Sequence, residues 1–385
     1  MNSRTKRNIS IYHLTQFLGN LDFTLPIYIL FGKNYIGLNY SQIAVLTVIA
    51  FASSVAFDFL LGIFADSFSK KKSYILGVIV SFLSLLPYIF TKDYTLLILA
   101  AFLMGFGSAL ASNVLDTFIH EDLDDNGLIE HYAPVTSKAQ QMFFFGRTFA
   151  GVLGGFLFII SPTLPYIFYA IATLICIVVA SIVLTEMPSG HIKNTIAQTT
   201  KDAFTFLKKR KDIIYFCLVG LIILIFGDLQ FGYYQPYFTL LHINPVYIGI
   251  LYSVISLFSA FGSHLMKGFL PKYSAKTINT FMILATICTA LCMLPRIPIL
   301  AFIGPLFIAV TFGFVYPNLR NFLNSQSPSE IKTSVASFGT TCYAIGTMIG
   351  LSAGGVFADH FSSTIVLSII LAGSIISFVL NYLLL

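Results

Sequence analysis

Charged residues are scarce in this sequence. Asp, Glu, Lys and Arg make up 10% of its 385 residues, whereas a soluble domain carries about 25%. Hydrophobic residues make up 57%, and so few polar side chains do not cover the surface of a folded body of this size. The deficit excludes a water-soluble enzyme, a disordered chain and a nucleic-acid-binding protein, and it indicates a polytopic membrane protein whose main partner is the lipid bilayer.

Patterns that bind metals or catalyse reactions are also missing. The five cysteines lie inside apolar stretches with no Cys-x-x-Cys or Cys/His spacing, so neither a disulfide framework nor a metal site is expected. There is no Gly-x-Ser-x-Gly, no His-Glu-x-x-His and no phosphate-binding Gly-rich loop with Lys-Ser/Thr. We therefore expect no enzyme activity and no cofactor, so transport by this chain would draw on an ion gradient or on the solute itself.

Long apolar stretches fill most of the chain, and a membrane-spanning helix needs roughly 20 such residues. Seven stretches free of Asp, Glu, Lys and Arg fit one helix each: 34–57, 73–91, 94–115, 277–295, 297–319, 333–358 and 360–385. Two longer stretches, 148–185 and 229–266, contain turn residues and are predicted to form helical hairpins. A first helix over 10–32 and a seventh that begins near Asp212 complete an all-α fold of twelve transmembrane helices.

The basic residues are distributed unevenly between the two sides of this topology. Of the 22 Lys and Arg residues, 18 lie on one side and three on the other, with Arg147 inside a helix. Basic loops favour the cytoplasm. We therefore expect a multi-pass protein of the plasma (inner) membrane with both termini in the cytoplasm and no cleavable signal peptide.

One loop, 186–212, is both long and strongly charged. It is predicted to be a cytoplasmic linker between two six-helix bundles, 1–185 and 213–385. An internal repeat supports this division, because glycines of helix five recur 200 residues later in helix eleven. The pairs are Gly146 and Gly346, Gly154 and Gly354, and Gly155 and Gly355, with Ala150 matched to Gly350. Parallel six-helix repeats are typical of transporters with a binding site near the bilayer midplane.

The loop between helices two and three reads Gly-Ile-Phe-Ala-Asp-Ser-Phe-Ser-Lys from Gly62 to Lys70. It resembles the Gly-x-x-x-Asp-x-x-Gly-Arg-Lys loop of the major facilitator superfamily, with Ser69 and Lys70 replacing the second glycine and the arginine. Helix five, from Gly146 to Gly155, resembles the family's Gly-x-x-x-Gly-Pro-x-x-Gly-Gly exporter element. The resemblance implies the twelve-helix fold of that family and a cytoplasmic gate formed by Gly62, Asp66 and Lys70.

Charged residues inside a predicted span each need a partner or a wet cavity. Asp22 lies near the middle of helix one and Asp228 lies in the outer half of helix seven, and both helices line the central cavity in the resembled family. We expect Asp22, with Asp228 as the second candidate, to couple transport to a proton or another cation. The alternative is that the helix end is misplaced and Asp22 lies nearer an interface.

A second group of charges falls in the cytoplasmic halves of helices two, four and five. Asp58, Asp116 and Arg147 are expected to form a charge network, either a static bridge or one that rearranges during transport. The acidic segment 121–125 is expected to be a solvated loop that leads into a surface helix.

Polar side chains on otherwise apolar helices are candidates for the wall of a solute cavity. They are Asn113 in helix four, Gln230, Tyr233 and Tyr234 in helix seven, and Tyr316 and Asn318 in helix ten. For the tyrosines, an interfacial aromatic belt is the alternative.

The predicted function is secondary active transport of a small molecule by alternating access. Because aromatic residues are abundant and intramembrane charges few, we expect a monomer that performs proton-coupled efflux of a drug-like or amphiphilic solute. The alternatives are a proton-coupled symporter that imports a small metabolite and, outside transport, a membrane receptor or a lipid scramblase. The family's helix-four Arg-x-x-x-Gly antiport element is absent from 103–113.

Overall fold

The computed structural model describes residues 3–67, 69–111, 114–184, 205–328 and 331–384. Nearly all of these residues are helical and none of them forms a strand. Eleven helices in this part of the chain are long and apolar enough to cross a membrane. Together with an interrupted first segment, they confirm the predicted all-α polytopic fold.

The helices follow one another with short connections. Before the predicted linker they are α1 (Ser3–Leu18), α2 (Tyr28–Leu30), a π-helix at Phe31–Ile36, α3 (Tyr40–Ser67), α4 (Lys70–Phe90), α5 (Tyr94–Ala111), α6 (Val114–Asp125), a 3-10 turn at Ile129–His131, α7 (Tyr132–Ile160) and α8 (Leu164–Val183). After it they are α9 (Lys211–Leu240), α10 (Pro245–Phe269), α11 (Ala275–Met293), α12 (Pro298–Gln326), α13 (Lys332–His360) and α14 (Ser363–Leu384). Most of the predicted linker, 186–212, lies outside the described residues.

The prediction of one continuous helix over 10–32 is wrong. Helix α1 ends at Leu18, and residues 19–27 form turns before the short helix α2 begins. Irregular backbone at membrane depth is tolerated only where protein or a water-filled cavity surrounds it. Interrupted helices of this kind form the binding sites of many transporters, so the break is the first structural indication of a site.

Local side-chain chemistry explains this break. Pro26 has no backbone N–H with which to continue a helical ladder. The Asp22 carboxylate accepts hydrogen bonds from the backbone N–H groups of Thr24 and Leu25, which would bond to carbonyls in a helix. A sequence reading based on apolar length alone does not register either effect.

The expectation of a solvated acidic loop at 121–125 is also wrong. Helix α6 continues to Asp125, and the side chain of Asp122 is buried against α1. Its carboxylate accepts hydrogen bonds from Asn8 (3.0 Å) and Thr5 (3.5 Å). A polar stripe on α1 therefore satisfies an acidic side chain that the sequence pattern placed in water.

The chain divides into two compact units. The first contains Met1–Ile36, Leu46–His191 and Asn244–Ser253, and the second contains Gly37–Val45, Ile192–Ile243 and Val254–Leu385. In the first unit α1 packs on α7 and α8, and α4 packs on α5 and α8. In the second unit α9 packs on α13 and α14, and α11 packs on α12 and α14. The two units therefore repeat one packing pattern.

Large apolar side chains on many helices are exposed. Phe90, Ile160 and Ile182 are 80%, 74% and 76% exposed, respectively. A soluble protein would bury residues of this size in a core or an interface, whereas lipid tails cover them in a membrane. The buried core lies inside each unit, for example around Phe118 and Ile119 of α6.

Candidate functional site

The glycines of α7 bring this helix against the first segment of the chain. A Cβ atom on Gly146 would lie 2.6 Å from the carbonyl oxygen of Phe17, and one on Gly154 would clash with the carbonyl oxygen of Phe23. Real side chains do not approach a backbone this closely, so only glycine permits the observed contact. Small residues at such positions are how membrane helices pack at short distance.

The matching glycines of α13 make the same contacts in the second unit. A Cβ atom on Gly346 would lie 2.7 Å from the carbonyl oxygen of Leu221, and one on Gly354 would lie 2.7 Å from that of Leu229. The repeat found in the sequence is thus a repeat of backbone contacts, and it defines which positions of the two halves correspond.

This correspondence pairs the two proton-coupling candidates. Asp22 directly precedes the residue whose carbonyl faces Gly154, and Asp228 directly precedes the residue whose carbonyl faces Gly354. The two carboxylates therefore occupy equivalent positions in the two units.

The partner positions correspond as well. Arg147 follows Gly146 on α7, and Thr347 follows Gly346 on α13. The first unit thus combines a carboxylate with a guanidinium, whereas the second combines a carboxylate with a hydroxyl. The repeat preserves the backbone and changes the chemistry.

Asp22 is held by its own turn in the break after α1. The Thr24 backbone N–H donates to the Asp22 carboxylate at 2.9 Å and the Thr24 hydroxyl donates at 2.5 Å. The backbone N–H of Leu25 donates as well. This arrangement is an Asx turn, which fixes the position of the carboxylate without help from another helix.

Arg147 supplies the positive charge near Asp22, and we call these two residues and their surroundings the first-unit site. Its guanidinium lies 4.6 Å from the centre of the Phe143 ring, and it interacts electrostatically with Asp22, Tyr169 and Tyr252. Its Nε atom is shielded from solvent and meets no acceptor among the described residues.

Asp228 has a different environment. It is 6% exposed, and the Thr347 hydroxyl donates a hydrogen bond of 2.6 Å to its carboxylate. Tyr316 of α12 lies within its electrostatic range. In the described part of the chain no Lys or Arg nitrogen lies within 4.0 Å of this carboxylate.

The predicted cavity residues of helix seven lie in α9 and are buried. Gln230 is 2% exposed, and its amide contacts the Met293 sulfur at 3.8 Å. Tyr234 accepts a hydrogen bond from Gln235 at 3.2 Å, and the ring of Tyr233 packs near that of Tyr237. These side chains are used in packing within the second unit.

The two candidates on α12 differ from each other. Tyr316 is 46% exposed and lies near Asp228, whereas Asn318 is buried and its amide donates to Asn279 at 2.9 Å. Asn279 in turn donates to Asn381 at 3.3 Å, so Asn318 belongs to an asparagine ladder that joins α11, α12 and α14. The remaining cavity candidate, Asn113, lies outside the described residues.

Among the described residues, no direct ion pair joins the three members of the predicted charge network. Asp116 accepts a hydrogen bond from Tyr12 of α1, and Asp58 is exposed on α3. Among the described residues, no carboxylate oxygen lies within 4.0 Å of the Arg147 guanidinium. The electrostatic partner of Arg147 is Asp22 instead.

The predicted gate is described only in part. Gly62 and Asp66 belong to the last turns of α3, but their side chains lie outside the described part of the structure. Lys70 begins α4 and forms an ion pair with Glu121 of α6. The structure therefore connects the gate lysine to an acidic residue that the sequence reading left in solvent.

Of the residues around the two carboxylates that sequence reasoning missed, two had a detectable signal. Thr347 was detectable from the glycine repeat, because it stands 200 residues after Arg147. Thr24 was detectable from the Asp-x-Thr spacing, which is typical of an Asx turn. Neither residue is charged, so a prediction based on intramembrane charges does not detect them.

The comparisons with known proteins agree with this architecture. The Major Facilitator Superfamily profile matches residues 12–351, and no curated protein sequence matches the chain. A variant of the nucleoside transporter NupG has a similar structure, with a TM-score of 0.82, 17% identity and 99% of each chain covered.

Two further solved structures are similar. A D-xylose-proton symporter has a TM-score of 0.77 and 12% identity over 100% of this chain and 98% of its own. A peptide transporter, POT, in complex with sulfate has a TM-score of 0.75 and 11% identity over 98% of this chain and 93% of its own. At sequence identities this low, the structural similarity shows a shared fold and nothing more.

Proposed function

The chain belongs to the major facilitator superfamily, and we propose that it is a secondary active transporter that moves a small polar solute, coupled to a proton, by alternating access. The observation that carries this proposal is the pair of equivalent carboxylates, Asp22 and Asp228, one in each unit. A carboxylate held away from bulk water is costly, and membrane proteins retain such groups chiefly on ion and substrate pathways.

We assign proton coupling to Asp228. Its described hydrogen-bond partner is the neutral hydroxyl of Thr347, so it exchanges a proton without breaking an ion pair. Asp22 has a compensating positive charge nearby in Arg147, which suits it to a site that holds a polar solute. This assignment reverses the order in which the sequence ranked the two carboxylates.

The charges of Asp22 and Arg147 favour a polar solute over an amphiphilic one, and we propose that this solute is imported along the proton gradient. Desolvation of the guanidinium and the carboxylate is unfavourable, and an apolar solute offers no polar contacts to offset it. Proton-coupled efflux remains the alternative, supported by the exporter-like glycines from Gly146 to Gly155.

The orientation and the gate complete the proposal. We place both termini in the cytoplasm of a plasma-membrane monomer whose halves, 1–185 and 213–385, are joined by the linker 186–212. Asp66 and the Lys70–Glu121 pair would act on the cytoplasmic side, where breaking them accompanies opening.

Flux measurements in proteoliposomes test this proposal. The full chain is assayed with two panels, polar metabolites and amphiphilic dyes, under inward, outward and zero proton gradients. We expect a polar solute to accumulate when the outside is acidic. Asp228→Asn should abolish accumulation against a gradient but preserve solute exchange at equal concentrations on both sides. Asp93→Asn, which changes an exposed aspartate before α5, serves as the matched control.

Other outcomes contradict specific parts of the proposal. Gradient-driven extrusion of a dye, with no flux of polar solutes, would replace import by efflux. Wild-type accumulation in Asp228→Asn would remove Asp228 as the coupling site and return the role to Asp22. Solute flux that is independent of the proton gradient would exclude proton coupling.

A further inference from the structure

Arg147 has more hydrogen-bond donors than its surroundings satisfy. A guanidinium carries five N–H donors and no acceptor. Its Nε–H is shielded from solvent and unpaired among the described groups, and no described carboxylate oxygen lies within 4.0 Å of it. Leaving a charged donor buried and unpaired is among the more costly arrangements in a protein, so an acceptor supplied from outside the chain would lower the free energy of this site.

Asp22 is near enough to interact with this charge but does not pair with it directly. Its carboxylate already accepts the backbone N–H of Thr24, the hydroxyl of Thr24 and the backbone N–H of Leu25. The Asp22 carboxylate is therefore already hydrogen-bonded within its own turn, and it leaves the Nε–H of Arg147 without an acceptor among the described residues.

The second unit provides an internal comparison. At the position equivalent to Arg147 stands Thr347, and its hydroxyl hydrogen is donated to Asp228 at 2.6 Å. The donor at this position is therefore satisfied inside the protein in the second unit and unsatisfied in the first. Packing needs do not account for the difference, because both helices make the same glycine contacts.

Aromatic rings complete the surroundings of Arg147. The guanidinium lies over the Phe143 ring, with Tyr169 and Tyr252 in its electrostatic range. A guanidinium stacked on an aromatic face has its plane fixed and its edge free. Such an edge matches the two oxygens of a carboxylate or a phosphate in a bidentate pair.

We propose that Arg147 binds the anionic group, a carboxylate or a phosphate, of the transported solute. This inference rests on the proposed transport function and narrows its substrate to organic anions. The anion occupies the open edge of the guanidinium in the first unit, and the remainder of the solute contacts the neighbouring tyrosine rings.

Anion-dependent thermal stabilisation of the purified full chain tests this assignment without requiring the solute to be known. The probes are acetate, succinate, inorganic phosphate and glycerol 3-phosphate, each at constant ionic strength, with glycerol and succinamide as neutral counterparts. We expect at least one anion, but neither neutral probe, to raise the unfolding midpoint in a saturable way. Comparison of the midpoint shifts with the carboxylate probes and the phosphate probes identifies which group the site prefers.

Three variants identify the residue responsible. Arg147→Gln should weaken anion binding at least tenfold, and Arg147→Lys should recover part of it because the charge remains while the bidentate geometry is lost. Arg296→Gln removes an exposed guanidinium near Thr364 and should leave binding unchanged. Variants are compared only where the unliganded unfolding midpoint shows that the protein is folded.

Several results would overturn the inference while leaving transport intact. These are stabilisation by no anion, stabilisation by neutral probes alone, or an anion effect that persists in Arg147→Gln. Proton-driven flux of a neutral solute in the liposome assay, unaffected by Arg147→Gln, would likewise reject the inference that the solute is an anion. It would leave the transport proposal intact. Failure of the transport proposal is recognised separately, by the absence of gradient-dependent flux in the wild-type protein.

Discussion

The carboxylate of Asp359, at the end of α13, accepts two hydrogen bonds from Ser41 at the start of α3, one from its backbone N–H at 2.6 Å and one from its hydroxyl at 2.8 Å. The backbone N–H of Tyr40 also donates to Asp359, at 3.1 Å. Asn39 and Gln42 form a reciprocal capping pair one residue earlier. The free N–H groups of the first turn are thus shared between a local cap and a residue far away in the sequence.

Among the described residues of the first unit, this long-range cap has no counterpart. The position equivalent to Asp359 is Ile159, and α10 begins instead with a local cap in which Asn244 accepts the Val246 N–H at 3.0 Å. The glycine contacts at the two helix starts are nevertheless the same, since Gly155 faces Pro245 as Gly355 faces Tyr40. The two units therefore share the glycine contact, and the Asp359 cap is found in the second unit in addition to it.

Removing the Asp359 cap should loosen the start of α3. We expect Asp359→Ala to cost about 1 kcal/mol, the usual value of a helix cap, and to speed amide hydrogen exchange at Tyr40 and Ser41. His360→Ala, a change at the exposed neighbouring residue, should leave these amides protected. Equal exchange rates in both variants would show that the local cap at Asn39 suffices.

Removing the charge of Asp22 should strengthen anion binding at Arg147. The amide of Asp22→Asn still accepts the Thr24 N–H, so the turn persists while a negative charge near the bound anion is lost. We expect a lower Kd for the stabilising anion in titrations of the unfolding midpoint. The control is Asp93→Asn, which alters a similar Asp-x-Thr turn before α5; weaker anion binding in Asp22→Asn would contradict the predicted role.

A side chain at Gly350 should disturb the packing of α13 on α9. A Cβ atom there would clash with the carbonyl oxygen of Ile225 and lie 2.8 Å from the Leu229 nitrogen. We expect Gly350→Ala to destabilise the fold by about 1–3 kcal/mol, as overpacking does, and to lower the unfolding midpoint. Gly268→Ala meets nothing within 4 Å and should not lower it; similar midpoints for the two variants would contradict the close approach.

The polar contact between α1 and α6 should matter for stability. Asn8→Ala removes the 3.0 Å hydrogen bond to the buried carboxylate of Asp122, and an unsatisfied buried acceptor costs about 1–3 kcal/mol. Ser10→Ala, which removes an exposed bond within α1, is the matched control. Denaturation curves of the two variants give the difference in free energy of unfolding. Wild-type stability in Asn8→Ala would mean that Asp122 accepts a hydrogen bond from another donor.

The membrane orientation is open to a direct test by cysteine labelling. In a background without native cysteines, we expect Lys209→Cys to resist an impermeant maleimide in intact cells and Arg296→Cys to react, because they lie on opposite sides of the predicted topology. Both should react once the membrane is permeabilised. Reaction of Lys209→Cys from outside would contradict the predicted topology and place the linker on the outer side.

Much of the fold was predictable from composition and spacing. Apolar length predicted the spanning helices, and the glycine pairs predicted the internal repeat, because both signals are local or strictly periodic. The break at 19–27 was not predictable from hydropathy, since the side-chain bonds of Asp22 and the missing N–H of Pro26 barely change the mean apolarity of the segment.

Composition, apolar length and glycine spacing are enough to establish a membrane protein with two repeated halves and to locate the few charges in its apolar segments. The partners of those charges are visible only in the folded chain: Arg147 lies near Asp22 rather than pairing with Asp116, and Thr347 binds Asp228. The physical reason is that burial of apolar length is summed along the chain, whereas the pairing of polar groups depends on which helices the glycine contacts bring together and in what register.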